Sequence, residues 1–454
     1  MGRQPAVKPL PYGNYSIIDF DTGGRSMPAR YSSGVQLCSE GNGSMSSTNT
    51  SGSRSKAWYS RSLRLATAEP VLVRTSLSAM QPSRGHQHIR HMLETTEGFI
   101  EAHRHFMLGK SFTIDFQVTV RLLFSHSPQL MVDAYSGALE LMKQRKTQIK
   151  ERSDPDLTIG SSCLRSLRVA SMSIKHMQDA TVVIMLGQIM AVYNILIPCP
   201  STHTIVRSTL LSVKEWYPSL LQQPEMDSVT LTPVLVDTIE CLVRRDMPII
   251  RIPHTNRCIV DRCIGICASL LTLFYDLCEI SYQVKMRDHA VAAAQWDDPY
   301  AEIEEKICAW TPVLPPHFFS QYSSTEVTTM LTQARLYRIT ALLVIHRLRF
   351  PVGIEDTTAR SYAESILNEL RMVVAWQPDE FLGLAVDFPL LAAMVEMPVC
   401  GEEILRVVEP RRLRKAPTEE ILKFVRHVRK SYEMGYGGLW LDLTSDELLG
   451  VILP

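Results

Sequence analysis

From about His86 onward the apolar residues return mainly every third or fourth position, the spacing that gathers them on one face of a helix. Ala359, Tyr362, Ile366, Leu370 and Val373 form one such stripe, with Asp356 ahead of it as a cap and Pro378 beyond it as a stop. Ile421, Phe424, Val425, Val428 and Tyr432 form another. It follows Pro417, opens with Thr418, Glu419 and Glu420, carries Arg429 and Lys430 near its end and meets Gly435, so charge and cap agree with one helix direction. Cys263 to Tyr275 and Leu336 to Phe350 are apolar on almost every side, which predicts central helices. Alternating strands with hairpin turns are scarce, and Pro248 to Pro253 is too short to found a sheet. The pattern predicts an all-α fold: a large helical domain over residues 86–454, long enough to divide its core in two and without the fixed repeat of a solenoid.

Residues 1–55 break the pattern. They hold eight Gly, eleven Ser and four Pro, and Ser39 to Ser55 has only Met45 as a sizeable apolar residue, too little buried surface to offset chain entropy. This predicts a disordered Ser/Gly-rich tail over residues 1–85. The tail has ten Lys/Arg against four Asp/Glu, so it is basic, whereas the whole chain balances 47 Lys+Arg against 47 Asp+Glu. A neutral molecule has no global excess with which to hold phosphate backbones, and nucleic-acid binding is expected to be weak or indirect.

The uncharged run from Ala180 to Ile197 has the 18 residues at which a membrane span deserves testing. Gln188 and Asn194 interrupt it, no basic residue flanks it directly, and Pro198 and Pro200 end it. A buried helix without membrane contact is the expectation. Ten cysteines lie mostly in apolar runs behind a polar, proline-containing start, which reads as a set of reduced, largely buried thiols in an intracellular protein. The acceptor triplets at Asn14, Asn42 and Asn49 then carry no meaning.

Candidate chemistry thins out when weighed against plain structural roles. Gly109-Lys110-Ser111 ends like a phosphate loop but has Arg104 where the first glycine belongs, and Gly41-Asn42-Gly43 lacks the third glycine of a dinucleotide fingerprint at Ser46. His86, His88, His91, His103 and His105 are dense in imidazole, yet Arg90 and Arg104 add positive charge, so a solvated helix start is expected rather than a metal. Cys258, Cys263, Cys267 and Cys278 lack two-residue knuckles, and Cys263 and Cys267 suit one face of a core helix. Asp297, Asp298, Glu302, Glu304 and Glu305 suit a helix start, with Asp298 as cap before Pro299. No catalytic, cofactor-binding or metal-ligating set emerges. Arg411, Arg412, Arg414 and Lys415, between Pro410 and Pro417, form a basic run suited to nuclear import, phosphate contact or plain solvation.

Three blocks carry a resemblance: Val236 to Pro248 (VDTIECLVRRDMP), Asp261 to Cys278 (DRCIGICASLLTLFYDLC) and Ala334 to Gly353 (ARLYRITALLVIHRLRFPVG), followed by the helix Ala359 to Ala375. In this order they resemble the fungal-specific transcription factor domain, the helical regulatory region of fungal zinc-cluster transcription factors, firmly over about 229–375 and more weakly over about 90–450. The resemblance implies a nuclear, non-catalytic transcriptional regulator without a cofactor, meeting other regulators or co-regulators, a homodimer among the options. That family reads DNA with six N-terminal cysteines holding two zinc ions. This chain has only Cys38 before Cys163, so those ligands have no counterparts here. A helical enzyme or ligand-binding protein, or an interaction scaffold unconnected with transcription, are the alternatives.

Overall fold

The apolar repeats become fifteen helices of eight residues or more in a computed structural model, which describes residues 84–146, 157–197, 202–253, 257–287, 298–376, 383–384, 386–408 and 416–445. Residues 1–83 of the tail, with the Gly41 motif and the three Asn triplets, lie outside the described residues, as do Asp297, Arg411, Arg412, Arg414 and Lys415, whereas the tail's last two residues, Arg84 and Gly85, already belong to the first helix. No strand occurs among the described residues; an isolated bridge joins Asp261 and Gly265, and the all-α expectation holds.

The first half gathers on one apolar helix. Helices α1 (Arg84–Glu94), α2 (Thr96–His103), α3 (Thr113–His126), α4 (Pro128–Lys146) and α5 (Leu157–Met172) lead to α6 (Met177–Leu196), which packs against α4, α5 and α7 (Thr202–Val213). Helix α6 is long and apolar enough to cross a membrane, but 83% of that stretch is buried inside the protein. Gln188 explains part of its place there. In α8 (Asp227–Arg244), Pro233 lacks the N–H that would bond to the Val229 carbonyl, and Gln188 donates its Nε2–H to that carbonyl at 2.8 Å. A polar side chain inside the run thus completes the backbone of a neighbouring helix.

Helix α8 touches α3, α6 and α7 on one side and α9 (Ala268–Arg287) on the other, joining the two halves. The second half comprises α10 (Ala301–Ala309), α11 (Ser324–Arg349), α12 (Asp356–Trp376), α13 (Asp387–Glu396), α14 (Pro398–Val408) and α15 (Ala416–Glu433). Its centre is α11, packed against α9, α10, α12 and α13. One continuous apolar cluster runs from Ile89 to Leu441, so the core is not divided.

Several sequence expectations hold in detail. Ala359, Ile366, Leu370 and Val373 are buried along α12, and Asp356 at its start accepts the Gly353 N–H at 2.9 Å. Ile421, Phe424, Val425 and Val428 are buried along α15. That helix ends in a paired turn: Gly435, at φ 92°, donates its N–H to Tyr432 and Tyr436 donates to Ser431, both at 3.0 Å. The helix expected from Cys263 begins only at Ala268. Asp261 Oδ1 accepts the Cys263 and Ile264 N–H groups at 2.8 and 3.0 Å, and Gly265 turns the chain at φ 56°. A short polar side chain that captures backbone donors favours a turn over a helix.

Candidate functional site

The densest unassigned chemistry lies between α7 and α8. One turn separates His203 from Arg207 on α7, and one turn separates Asp237 from Cys241 on α8, so each helix presents its pair on one face. The helices pack with these faces together. His203 Nε2 is 3.5 Å from Asp237 Oδ1, and the Cys241 Sγ is 3.8 Å from the same oxygen. Arg207 Nη1 lies 2.8 Å from Cys241 Sγ and 3.5 Å from Asp237 Oδ1, and reaches Asp246 Oδ2 at 3.4 Å.

Asp237 is almost wholly enclosed while Asp246 is about half exposed, so the charge runs from a buried carboxylate through Arg207 to an outer one. The loop beyond α8 locks the inner carboxylate, because Ile249 donates its N–H to Asp237 Oδ2 at 2.7 Å. Burial, and then the charge of Asp237, push the Cys241 thiol well above its ordinary range. A thiol held protonated and enclosed is a poor nucleophile. Burial opposes the charge on Arg207, but Cys241, Asp237 and Asp246 together hold its pKa above the ordinary value.

The motifs singled out along the sequence resolve differently. Ser111 donates its N–H and hydroxyl to Glu326 at 2.9 and 2.8 Å, so Gly109-Lys110-Ser111 faces a carboxylate rather than a phosphate. A Cβ on Gly109 would fall 2.0 Å from Glu326 Oε1, which accounts for the glycine there. His88 and His91 are exposed as expected, but His103 is buried. The reading of that cluster as solvated is corrected at His103, which α2 turns inward onto Phe116 and Tyr135.

Cys263 and Cys267 are buried, as expected, but in the turn before α9 rather than on a helix face. Cys163, Cys241, Cys263, Cys267, Cys278, Cys308 and Cys400 are free thiols. Cys258 is disulfide-bonded, which corrects the expectation of reduced cysteines at that position. Pairing depends on which sulfurs folding brings together, and spacing along the chain does not reveal it. Asp298 and Glu304 each pair with Arg349 at 2.6 Å, and Lys306 pairs with Glu302, so these acids are structural.

Two arginines of α11 turn into the body of the protein. Arg338 donates to the Ile307 and Cys308 carbonyls at the end of α10. Arg347 is fully enclosed and bound to Glu396 and Asp356. The α7/α8 centre was missed entirely: its only sequence signals are two i, i+4 pairs, His203 with Arg207 and Asp237 with Cys241. Comparison of the chain with known proteins finds no matching family model, no matching curated protein and no matching solved structure.

Proposed function

We propose that this chain is a transcriptional regulator whose helical domain works in the nucleus through contacts with other regulators or co-regulators, without catalysis and without its own sequence-specific DNA reader in these 454 residues. The reading rests on the resemblance of 236–248, 261–278, 334–353 and 359–375 to the fungal transcription factor regulatory domain. One observation carries it beyond the order of motifs. These blocks supply α8, α9, α11 and α12, and α8 packs on α9, α9 on α11, and α11 on α12. The resembling segments therefore form a single continuous centre, as they should if they share one domain framework.

Partner contact fits a domain whose prominent polar side chains mostly serve its own packing. Arg262, for example, lies over the Phe116 ring and donates to the Ser228 and Phe106 carbonyls. The test is a tethering assay: the full chain, fused to an unrelated DNA-binding domain, should change expression of a reporter carrying that domain's sites. The same chain with a fluorescent tag should enter nuclei, and replacing Arg411, Arg412, Arg414 and Lys415 by Gln should reduce entry if that run is the signal. A well-expressed fusion that leaves the reporter unchanged, together with a tagged chain excluded from nuclei, would overturn the reading.

A further inference from the structure

His203, Asp237 and Cys241 are a ligand set as well as a packing contact. Each offers one ligand atom, a ring nitrogen, a carboxylate oxygen and the sulfur, within 4.8 Å of the other two; His203 Nε2 lies 3.5 Å and Cys241 Sγ 3.8 Å from Asp237 Oδ1. Around a tetrahedral zinc ion, bonds of about 2.0–2.3 Å set neighbouring ligand atoms about 3.3–3.6 Å apart. Closing the triangle onto an ion needs shifts of only a few tenths of an ångström in the two measured sides. The His203 Nε2 is enclosed and makes no hydrogen bond. Buried polar nitrogens are normally bonded, whereas this one has only the approach of Asp237 Oδ1 at 3.5 Å. The carboxylate is already oriented from behind by the Ile249 N–H on Oδ2, the kind of support that metal-binding carboxylates have.

We propose that His203, Asp237 and Cys241 bind a divalent metal ion of borderline softness, zinc above all, through three protein ligands with a fourth position left to water. Nitrogen, carboxylate oxygen and thiolate together select zinc and its transition-metal neighbours over magnesium or calcium. The proposal is independent of the transcriptional reading.

Arg207 sets the terms of binding. Its Nη1 sits 2.8 Å from the sulfur and 3.5 Å from Asp237 Oδ1, and a guanidinium and a dication cannot share that space. The side chain is 23% exposed, however, and Asp246 offers it an outer carboxylate at 3.4 Å. Metal entry therefore amounts to an exchange of cations: Arg207 withdraws toward Asp246, the metal forms a bond to Cys241 sulfur, and the thiol proton passes to solvent.

The test titrates the full 454-residue chain, stripped with a chelator, first with cobalt(II) as a spectroscopic substitute and then with zinc(II). One equivalent of cobalt should produce a thiolate-to-cobalt charge-transfer band with tetrahedral ligand-field absorption, and zinc should abolish both. Cys241→Ser should remove the charge-transfer band, and His203→Gln should weaken binding by about tenfold or more, the scale of losing one ligand. Arg207→Met keeps all three ligands and removes the competing cation, so it should tighten binding by about tenfold. This variant keeps the test decisive even if circular dichroism shows the ligand variants to be unfolded. No stoichiometric uptake, a charge-transfer band that survives in folded Cys241→Ser, or unchanged or weaker binding by Arg207→Met would each overturn the proposal.

Discussion

His103 illustrates how a titratable side chain is made part of a core. A carbonyl can only accept, so the contact of Nδ1 with Phe99 O at 3.0 Å places the ring proton on Nδ1, leaving Nε2 to accept the Tyr135 hydroxyl at 3.1 Å. Burial, and to a lesser degree the nearby Arg262 charge, push the imidazole down to about 3, the Phe99 bond notwithstanding. In the unfolded chain the same ring titrates at its ordinary 6.5. Below that value the unfolded state binds a proton that the folded state refuses until about pH 3, so stability is lost as pH falls through this window. From pH 7 to pH 5 the loss is about 2 kcal/mol. Urea melts of the wild type and His103→Gln should show the variant less sensitive to pH over this range, and parallel pH profiles would refute the assignment. Arg347 poses the opposite problem, a charge that cannot be shed. Its Nε and Nη2 meet the two oxygens of Glu396 at 2.7 and 2.5 Å, Nη2 also meets Asp356 at 2.7 Å, and Nη1 donates to Pro351 and Ile354 carbonyls. Removing one partner strands a buried charge, so Glu396→Leu should cost about 3–5 kcal/mol. Pairing it with Arg347→Met should recover part of that loss, and a double variant as unstable as the sum of the single ones would show that the pair is not the cause.

Helix α11 shows what the sequence could and could not disclose about an element. Its run from Leu336 to Phe350 is apolar on nearly every side, and α11 does lie at the centre, with Leu336, Leu343 and Val344 all enclosed. Replacing Leu343 by Ala should cost about 2–5 kcal/mol in a thermal or denaturant melt. His346 lies in the same run but makes one main contact, donating Nε2–H to the Glu355 carbonyl at 3.0 Å. His346→Gln should cost about 0.5–1.5 kcal/mol, the worth of one hydrogen bond. If the two costs came out reversed, packing would not be what places this helix. The start of α11 is fixed differently: Glu326 accepts the Ser323 N–H at 2.8 Å and also holds Ser111, fastening the α11 N-terminus to the turn before α3. Glu326 is therefore a link between halves of the chain, which its place in the sequence does not announce. Stripes such as those of α12 and α15 were legible because a helix repeats its own face every 3.6 residues. The turn at 261–267 was not, because Asp261 and Gly265 act through a side-chain capture and a positive φ that override an apolar run. The α7/α8 centre was illegible for a third reason: Arg207 and Asp237 meet only after two helices pack, and nothing in either pair specifies the other.

At the scale of the molecule, charge is separated along the chain while the core is continuous. Residues 1–85 carry a basic excess of six, and the remainder an equal acidic excess. The body's own cations are heavily committed: Arg245 is buried and bound to Asp442 at 3.0 Å, Arg251 meets Asp276 at 2.6 Å, and Arg335 meets Glu369 at 3.0 Å. An arginine spent on an internal carboxylate has less to offer a phosphate, so the attraction of this chain for DNA should come mainly from its tail. Such attraction is a matter of counterion release and carries no base readout, since contacts to phosphates position a protein without specifying sequence. Binding should thus be weak at physiological salt and indifferent to sequence. With about six cations engaged, the logarithm of the association constant should fall with the logarithm of salt at a slope of about −5. Deleting residues 1–83 should remove most of that slope while leaving the helical circular dichroism of the body in place. Fluorescence anisotropy on several unrelated duplexes, each measured across a salt series, makes the comparison. Tight binding to one duplex that persists at physiological salt and survives deletion of the tail would mean that the helical body reads DNA itself, and the division of labour between tail and body would be wrong.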